Sequence, residues 1–214
     1  MSIKLKAAAI ALAVFSATGA SAQTVGEKSI NIGASIFGGS LSGSYRLAPQ
    51  FGVRGMLMGG FGYKNTITRS NVDYALDGKL GAVAVMGDYF PMQGNWRVSG
   101  GILRSNAGID MTATLSASNP YAGFTTGNVK SNLKFNRTYI PMVTTGYDWN
   151  FHKQWVLSGE AGAMFTNGGV LTTTGSSAAI QAQLDADADI AKWKSDAAKL
   201  KLFPFIGISV GYRF

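Results

Sequence analysis

The sequence has no cysteine, a single histidine (His152) and only 14% charged residues. Without thiols there is no disulfide framework, and no sulfur nucleophile or metal ligand. One histidine alone leaves no transition-metal site built on nitrogen and sulfur. A long apolar run is also missing. Ala7 to Phe15 is too short to cross a bilayer as a helix, and no later stretch is longer. A helical membrane protein is therefore excluded. The 19 Lys and Arg residues exceed the 11 Asp and Glu, giving a formal charge of +8. They never form a run, so the excess does not describe a nucleic-acid-binding strip. It suits anionic lipid headgroups or lipopolysaccharide phosphates, or simply a solvated basic surface.

What is present begins with an export address. Lys4 and Lys6 precede the apolar run, and Ala20-Ser21-Ala22 matches a small-residue cleavage pattern. Residues 1–22 are expected to be a cleaved signal peptide, and residues 23–214 one domain. The rest of the chain is rich in glycine, with 28 in all, and alternates with a period of two. Ser29 to Phe37 and Ser40 to Leu47 alternate on either side of Gly38-Gly39. They read as a hairpin or as one bulged strand. Phe51 to Tyr63, Val72 to Phe90, Trp96 to Leu115, Leu133 to Trp149 and Trp155 to Phe165 follow. A bulge is expected near Arg104 to Asn106, and another at Pro141, which has no donor for a ladder. Ala178 to Leu200 is the one helical pattern after the leader. Ser176-Ser177 can cap it, and its acidic residues come first and its lysines later.

The final strand, Leu202 to Phe214, carries Ile206, Ile208, Val210, Tyr212 and Phe214 on one face. Gly207, Ser209, Gly211 and Arg213 take the other. Connections alternate in length: 48–50, 91–95 and 150–154 are short, whereas 65–71, 116–131 and 167–200 are long. Trp96, Trp149 and Trp155, with Phe51, Phe90 and Phe214, cluster at the short-turn ends, where an interfacial girdle would lie. This pattern predicts an all-β, antiparallel transmembrane barrel. The hairpin reading of residues 29–47 gives eight strands and the single-strand reading seven. One helix sits in the last outer loop.

The GYRF ending, the segment GSYRLAPQFGVRG and the segment YIPMVTTGYDWNF before a Trp-led strand resemble small Gram-negative outer-membrane barrels of the OmpA/OmpX or OmpW type. The resemblance implies a C-terminal assembly signal in which Val210, Tyr212 and Phe214 face lipid. It implies an outer-membrane location, with lipid, lipopolysaccharide, the barrel-assembly machinery and periplasmic chaperones as partners. It implies neither cofactor nor catalytic activity. Two functions stay open: a structural or surface-interaction barrel with a plugged lumen, or a narrow OmpW-like channel for small apolar or ionic solutes.

The faces read as inward hold Arg54, Asp77, Lys79, Arg97, Glu160 and Arg213. Mixed charges inside a narrow barrel must pair, because an unpaired buried charge is costly. Arg54 and Glu160 are the expected partners, forming either a static plug or a gate. Met56, Met58, Val83, Val85 and Met164 are the expected inward apolar residues. His152, in a short turn, is badly placed to activate Ser158. Asp185, Asp187 and Asp189 lack the glycine and terminal glutamate of a calcium loop, and a helix accounts for them better.

Overall fold

The computed structural model describes residues 25–69, 72–117, 120–152 and 154–214, so the expected leader at 1–22 lies outside the described residues. Eight strands close into an antiparallel barrel: β1 (Lys28–Ser35), β2 (Gly38–Ala48), β3 (Phe51–Arg69), β4 (Val72–Tyr89), β5 (Trp96–Ser105), β8 (Tyr139–His152), β9 (Trp155–Phe165) and β11 (Leu202–Arg213). They neighbour one another in that order, and β1 closes the ring on β11 through a register running from Ser29 opposite Arg213 to Ser35 opposite Gly207. A closed ring leaves no unpaired edge, which is the condition for a sheet to stand in lipid.

Three further strands, β6 (Gly108–Leu115), β7 (Gly127–Phe135) and β10 (Gly169–Gly175), continue barrel strands beyond short breaks. They pair in the order β10-β7-β6-β4, so the far halves of β3 and β4 become part of a second, open sheet above the ring. The expected long loops are therefore partly strand. Residues 65–69 belong to β3, 127–131 to β7 and 169–175 to β10. Ser/Thr/Asn-rich sequence reads as loop, yet here each segment finds a paired neighbour. The stretch read as a single strand from Leu133 to Trp149 is broken at 136–138.

The first hairpin is real, but its two turn residues are Ile36 and Phe37. Ser35 pairs with Gly38, whose φ of +105° needs a glycine. The bulge in β3 falls at Gly59–Gly62, where Gly60 has φ +87°. Pro141 causes no register shift against β5, where it lies opposite Ile102. Pairing of β8 with β9 begins one residue later, at Met142, so the missing N–H costs no bond there. The helical stretch is divided at Asp187 into α1 (Ala178–Ala186) and α2 (Ala188–Lys199). Asp187 caps α2 by accepting from the N–H groups of Asp189 and Ile190. Both helices pack on β10, with Ile180, Leu184 and Ile190 buried together with Leu115 in a satellite core.

The barrel is apolar outside. Ile32, Leu57, Val85, Ile102, Ile206 and Ile208 all point outward, with Val85 66% exposed and Met86 beside it 1%. An exterior of this kind belongs in lipid rather than water. At the short-turn end Phe51 meets Tyr89 (ring centroids 5.2 Å), Tyr147 meets Trp149 (5.0 Å), and Trp155 meets Tyr212 (5.4 Å), which continues to Phe214 (6.4 Å).

Candidate functional site: the barrel interior

The barrel interior has two layers. The layer nearer the short turns is ionic. Arg54 on β3 reaches across the lumen to Glu160 on β9, with Nη1–Oε2 2.6 Å and Nη2–Oε1 2.8 Å. The same guanidinium donates through Nε and Nη2 to Asp88 on β4, each at 3.2 Å. Arg97 on β5 pairs with Asp148 on β8 and stands 3.5 Å from Glu160. Arg213 on β11 joins Asp148 at 2.9 Å and Glu27 at 3.2 Å. Hydroxyls fill the remaining acceptor sites: Thr144 donates to Glu160 (2.5 Å), Ser99 to Asp88 (2.5 Å) and Ser158 to Asp148 (2.7 Å). The cluster thus stitches β3, β4, β5, β8, β9 and β11 together through the centre of the ring. Arg54, Asp88, Arg97, Ser99, Thr144, Asp148, Ser158 and Glu160 are all buried.

Local sequence explains the convergence. Asp148 sits between the outward aromatics Tyr147 and Trp149, and Arg54 between Val53 and Gly55, so strand alternation turns both inward. A Cβ at Gly146 would come within 2.9 Å of Cζ of Arg97, so glycine there leaves room for the guanidinium to lie against β8. Arg46 on β2, itself buried, adds a fourth guanidinium. It lies 3.4 Å over the ring of Phe90, and its three nitrogens find no hydrogen-bond partner among the described residues. With it the layer holds, among the described residues, four guanidinium groups (Arg46, Arg54, Arg97, Arg213) against four carboxylates (Glu27, Asp88, Asp148, Glu160).

The layer above is apolar. Met56, Met58, Met86, Met142 and Met164 pack with Ala82, Ala84, Leu103, Ile140 and Phe205, and Phe37 closes the top. Methionine is unbranched and adaptable, and it fills gaps that rigid side chains leave.

Of the residues expected in a lumen network, Arg54, Arg97, Glu160 and Arg213 come together. Asp77 and Lys79 do not join them. They share the outward parity of Val83 and Val85, and Lys79 lies nine residues from Asp88 along β4, about 30 Å at the rise of a strand. Beyond the apolar belt the exterior of the sheet is wet, so charge there no longer marks the lumen side. Val83 and Val85 accordingly face outward, against expectation, and Ala82, Ala84 and Met86 take the inside. Trp149 and Trp155 are exposed on the barrel exterior, and half-buried Trp96 donates to Oγ1 of Thr145 at 2.8 Å. Phe90, grouped with them from sequence, is 6% exposed and points inward under Arg46. Val210, Tyr212 and Phe214 line the outward face of β11 and the residue after it.

Four charged members escaped the sequence reading: Glu27, Arg46, Asp88 and Asp148. Parity alone could have found three of them. Each is flanked by outward residues: Tyr45 and Leu47, Gly87 and Tyr89, Tyr147 and Trp149. Ser158 is held by Asp148, and the side chain of His152 lies outside the described residues.

No protein-family model and no curated protein matches the sequence. Solved structures share the fold, two Acinetobacter baumannii proteins among them. Acinetobacter baumannii CarO2 superposes with a TM-score of 0.61 at 15% identity, covering 90% of this chain and 100% of that one. Acinetobacter baumannii CarO does so with a TM-score of 0.56 at 16% identity, covering 89% and 98%. At this identity the likeness is one of architecture.

Proposed function

We propose that this protein is an outer-membrane barrel with its short turns in the periplasm, closed to steady ion flow, which acts through the sheet and helices it raises above the membrane. The observation that carries the reading is the double obstruction of the lumen. A cross-braced ionic layer and an apolar methionine layer lie in series, and an ion would have to pass both. Six strands share the ionic layer, so no single rotamer change clears it. The apolar exterior, the aromatic belt and the architecture shared with CarO support the location. In this reading Val210, Tyr212 and Phe214 form the signal read by the assembly machinery, on the strand that closes the ring. The extension, with the exposed lysines of α2, meets lipopolysaccharide or a surface partner.

Planar-bilayer recording of refolded protein tests the closure. The expected trace shows no steady conductance, and the double variant Arg54→Ala/Glu160→Ala stays silent because the methionine layer remains. Large steady currents from the unmodified protein would overturn the closed reading and favour a narrow channel. Fractionation would overturn the location if the intact protein appeared as soluble periplasmic material.

A further inference from the structure

The barrel and its extension meet at a joint where several strands change course together. β5 gives way to β6 at residues 106–107, β7 to β8 at 136–138, and β9 to β10 at 166–168. β11 begins at the same level, just after α2. Continuous strands would pack tightly here, but the breaks leave a cavity of about 170 Å³. Three rings border it, with Phe135 set edge-on to both Phe37 (centroids 6.5 Å) and Phe203 (5.5 Å). Leu80, Leu133 and Leu200 supply aliphatic wall. An apolar void of about 150 Å³ walled by such residues stays dry and accepts benzene, so this one has the size and the chemistry for a single aromatic ring. Edge-to-face packing is the preferred arrangement for a ring added among rings.

Among the described residues the rim carries one cation. Lys134 lines the cavity and lies along Gly108, where a Cβ would come within 3.3 Å of its Cγ. Glycine at 108 lets the lysine stem lie flat against the sheet. The side chain is exposed, and its ammonium is in no ion pair or side-chain hydrogen bond found among the described residues. An apolar void whose rim, among the described residues, holds one free cation is complementary to an apolar body with one negative charge.

We propose that this cavity binds a monocyclic aromatic carboxylate, with its ring among Phe37, Phe135 and Phe203 and its carboxylate on Lys134. The site lies above the methionine layer, so the assignment stands whether or not the lumen conducts.

Fluorine NMR of 4-fluorobenzoate and of fluorobenzene tests it, with the protein refolded into lipid nanodiscs so that no detergent tail competes. Both probes should show saturable shifts, and fluorobenzoate should bind more tightly. Lys134→Gln should weaken fluorobenzoate by up to about fivefold, the range of an exposed ion pair. It should leave fluorobenzene unchanged. Ala107→Leu, which fills the cavity from the β5–β6 break, should abolish both signals; Leu133→Phe does the same if that variant fails to fold. Non-saturable shifts, or shifts that survive both cavity-filling variants, would overturn the site. Equal effects of Lys134→Gln on the two probes would overturn the carboxylate assignment.

Discussion

The two layers of the lumen fill the same kind of space by opposite means. Near the short turns the chain places guanidinium and carboxylate groups that make directional demands on one another, and it adds Thr144, Ser99 and Ser158 as donors to the buried carboxylates. Above them it places five methionines, which have no directional demands. The ionic layer fixes which strands face one another across the ring, because Arg54 reaches Glu160 only if β3 and β9 stand opposite. The methionine layer adapts to whatever shape the ring then has. Specificity of arrangement and tolerance of filling are thus separated along the barrel axis. The difference predicts that similar substitutions have very different consequences in the two layers.

The largest effect is expected from breaking the ionic layer at its centre. Arg54→Ala strands Glu160 and Asp88 without their shared partner, and removing one member of a buried pair costs about 3–5 kcal/mol. Glu160→Ala should cost a similar amount, since Arg54 and Arg97 lose a common acceptor. The double variant should cost less than the two single losses combined, because each change removes the charge the other leaves unpaired. Arg54→Lys should also destabilise markedly, as an ammonium cannot serve two carboxylates with a planar fork. Urea unfolding of the folded barrel in detergent measures all four. Strict additivity of Arg54→Ala and Glu160→Ala would show that the cross-lumen pair is not coupled, and the contrast between the layers would fall with it.

A smaller effect is expected in the methionine layer, and it sharpens the contrast. Met142 is 1% exposed and Met164 0%. Met142→Leu conserves volume and should cost under about 1.5 kcal/mol. The same unfolding assay applies. If Met142→Leu proved as damaging as Arg54→Lys, the upper layer would be a shape-specific plug rather than an adaptable filling.

Much of this was legible in the sequence, because period-two alternation reports directly on which face of a strand is buried. It gave the closed antiparallel barrel, the outward Val210, Tyr212 and Phe214, the tryptophans of the belt, and the inward Arg54, Arg97, Glu160 and Arg213. It misled where its assumption changed. Asp77 and Lys79 lie above the belt, where outside is water and charge carries no sign of the lumen. Arg46 and Phe90 show the reverse case, an aromatic at a short turn that faces inward because a guanidinium lies on it. The extension was the least legible part. β7 sets Val129, Leu133 and Phe135 against Asn128, Lys130, Asn132 and Lys134, but its first half lies in a Ser/Gly/Asn-rich stretch and β10 is a short threonine run, so both read as loop until β7 is seen paired with β6 and β10 with β7.

The smallest expected effect separates the extension from the barrel altogether. Tyr121, in the loop between β6 and β7, donates its hydroxyl to Oδ2 of Asp187 at 2.7 Å, while Oδ1 of the same carboxylate caps α2. The tyrosine hydroxyl first, and then the two capping N–H groups, hold the Asp187 carboxyl below its ordinary range. Burial first, and then the carboxylate, push Tyr121 up to about 12. A lowered carboxylate contributes stability that is present above its unfolded value of about 3.9 and is lost as pH falls through the folded one. A raised phenol contributes stability that is present below its unfolded value of about 10 and is lost as pH rises through about 12. The clasp should therefore be fully made between about pH 4 and 10 and open at either extreme. Tyr121→Phe removes the hydroxyl and keeps the ring. Its carboxyl carbon signal for Asp187 should titrate at higher pH than in the unmodified protein, though still below the ordinary range, because both capping N–H groups remain. Urea unfolding of the barrel should be unchanged, since the clasp touches neither layer of the lumen. An unmoved Asp187 titration would show that the hydroxyl does not hold the carboxylate, and a weakened barrel would show that the extension and the ring do not unfold independently.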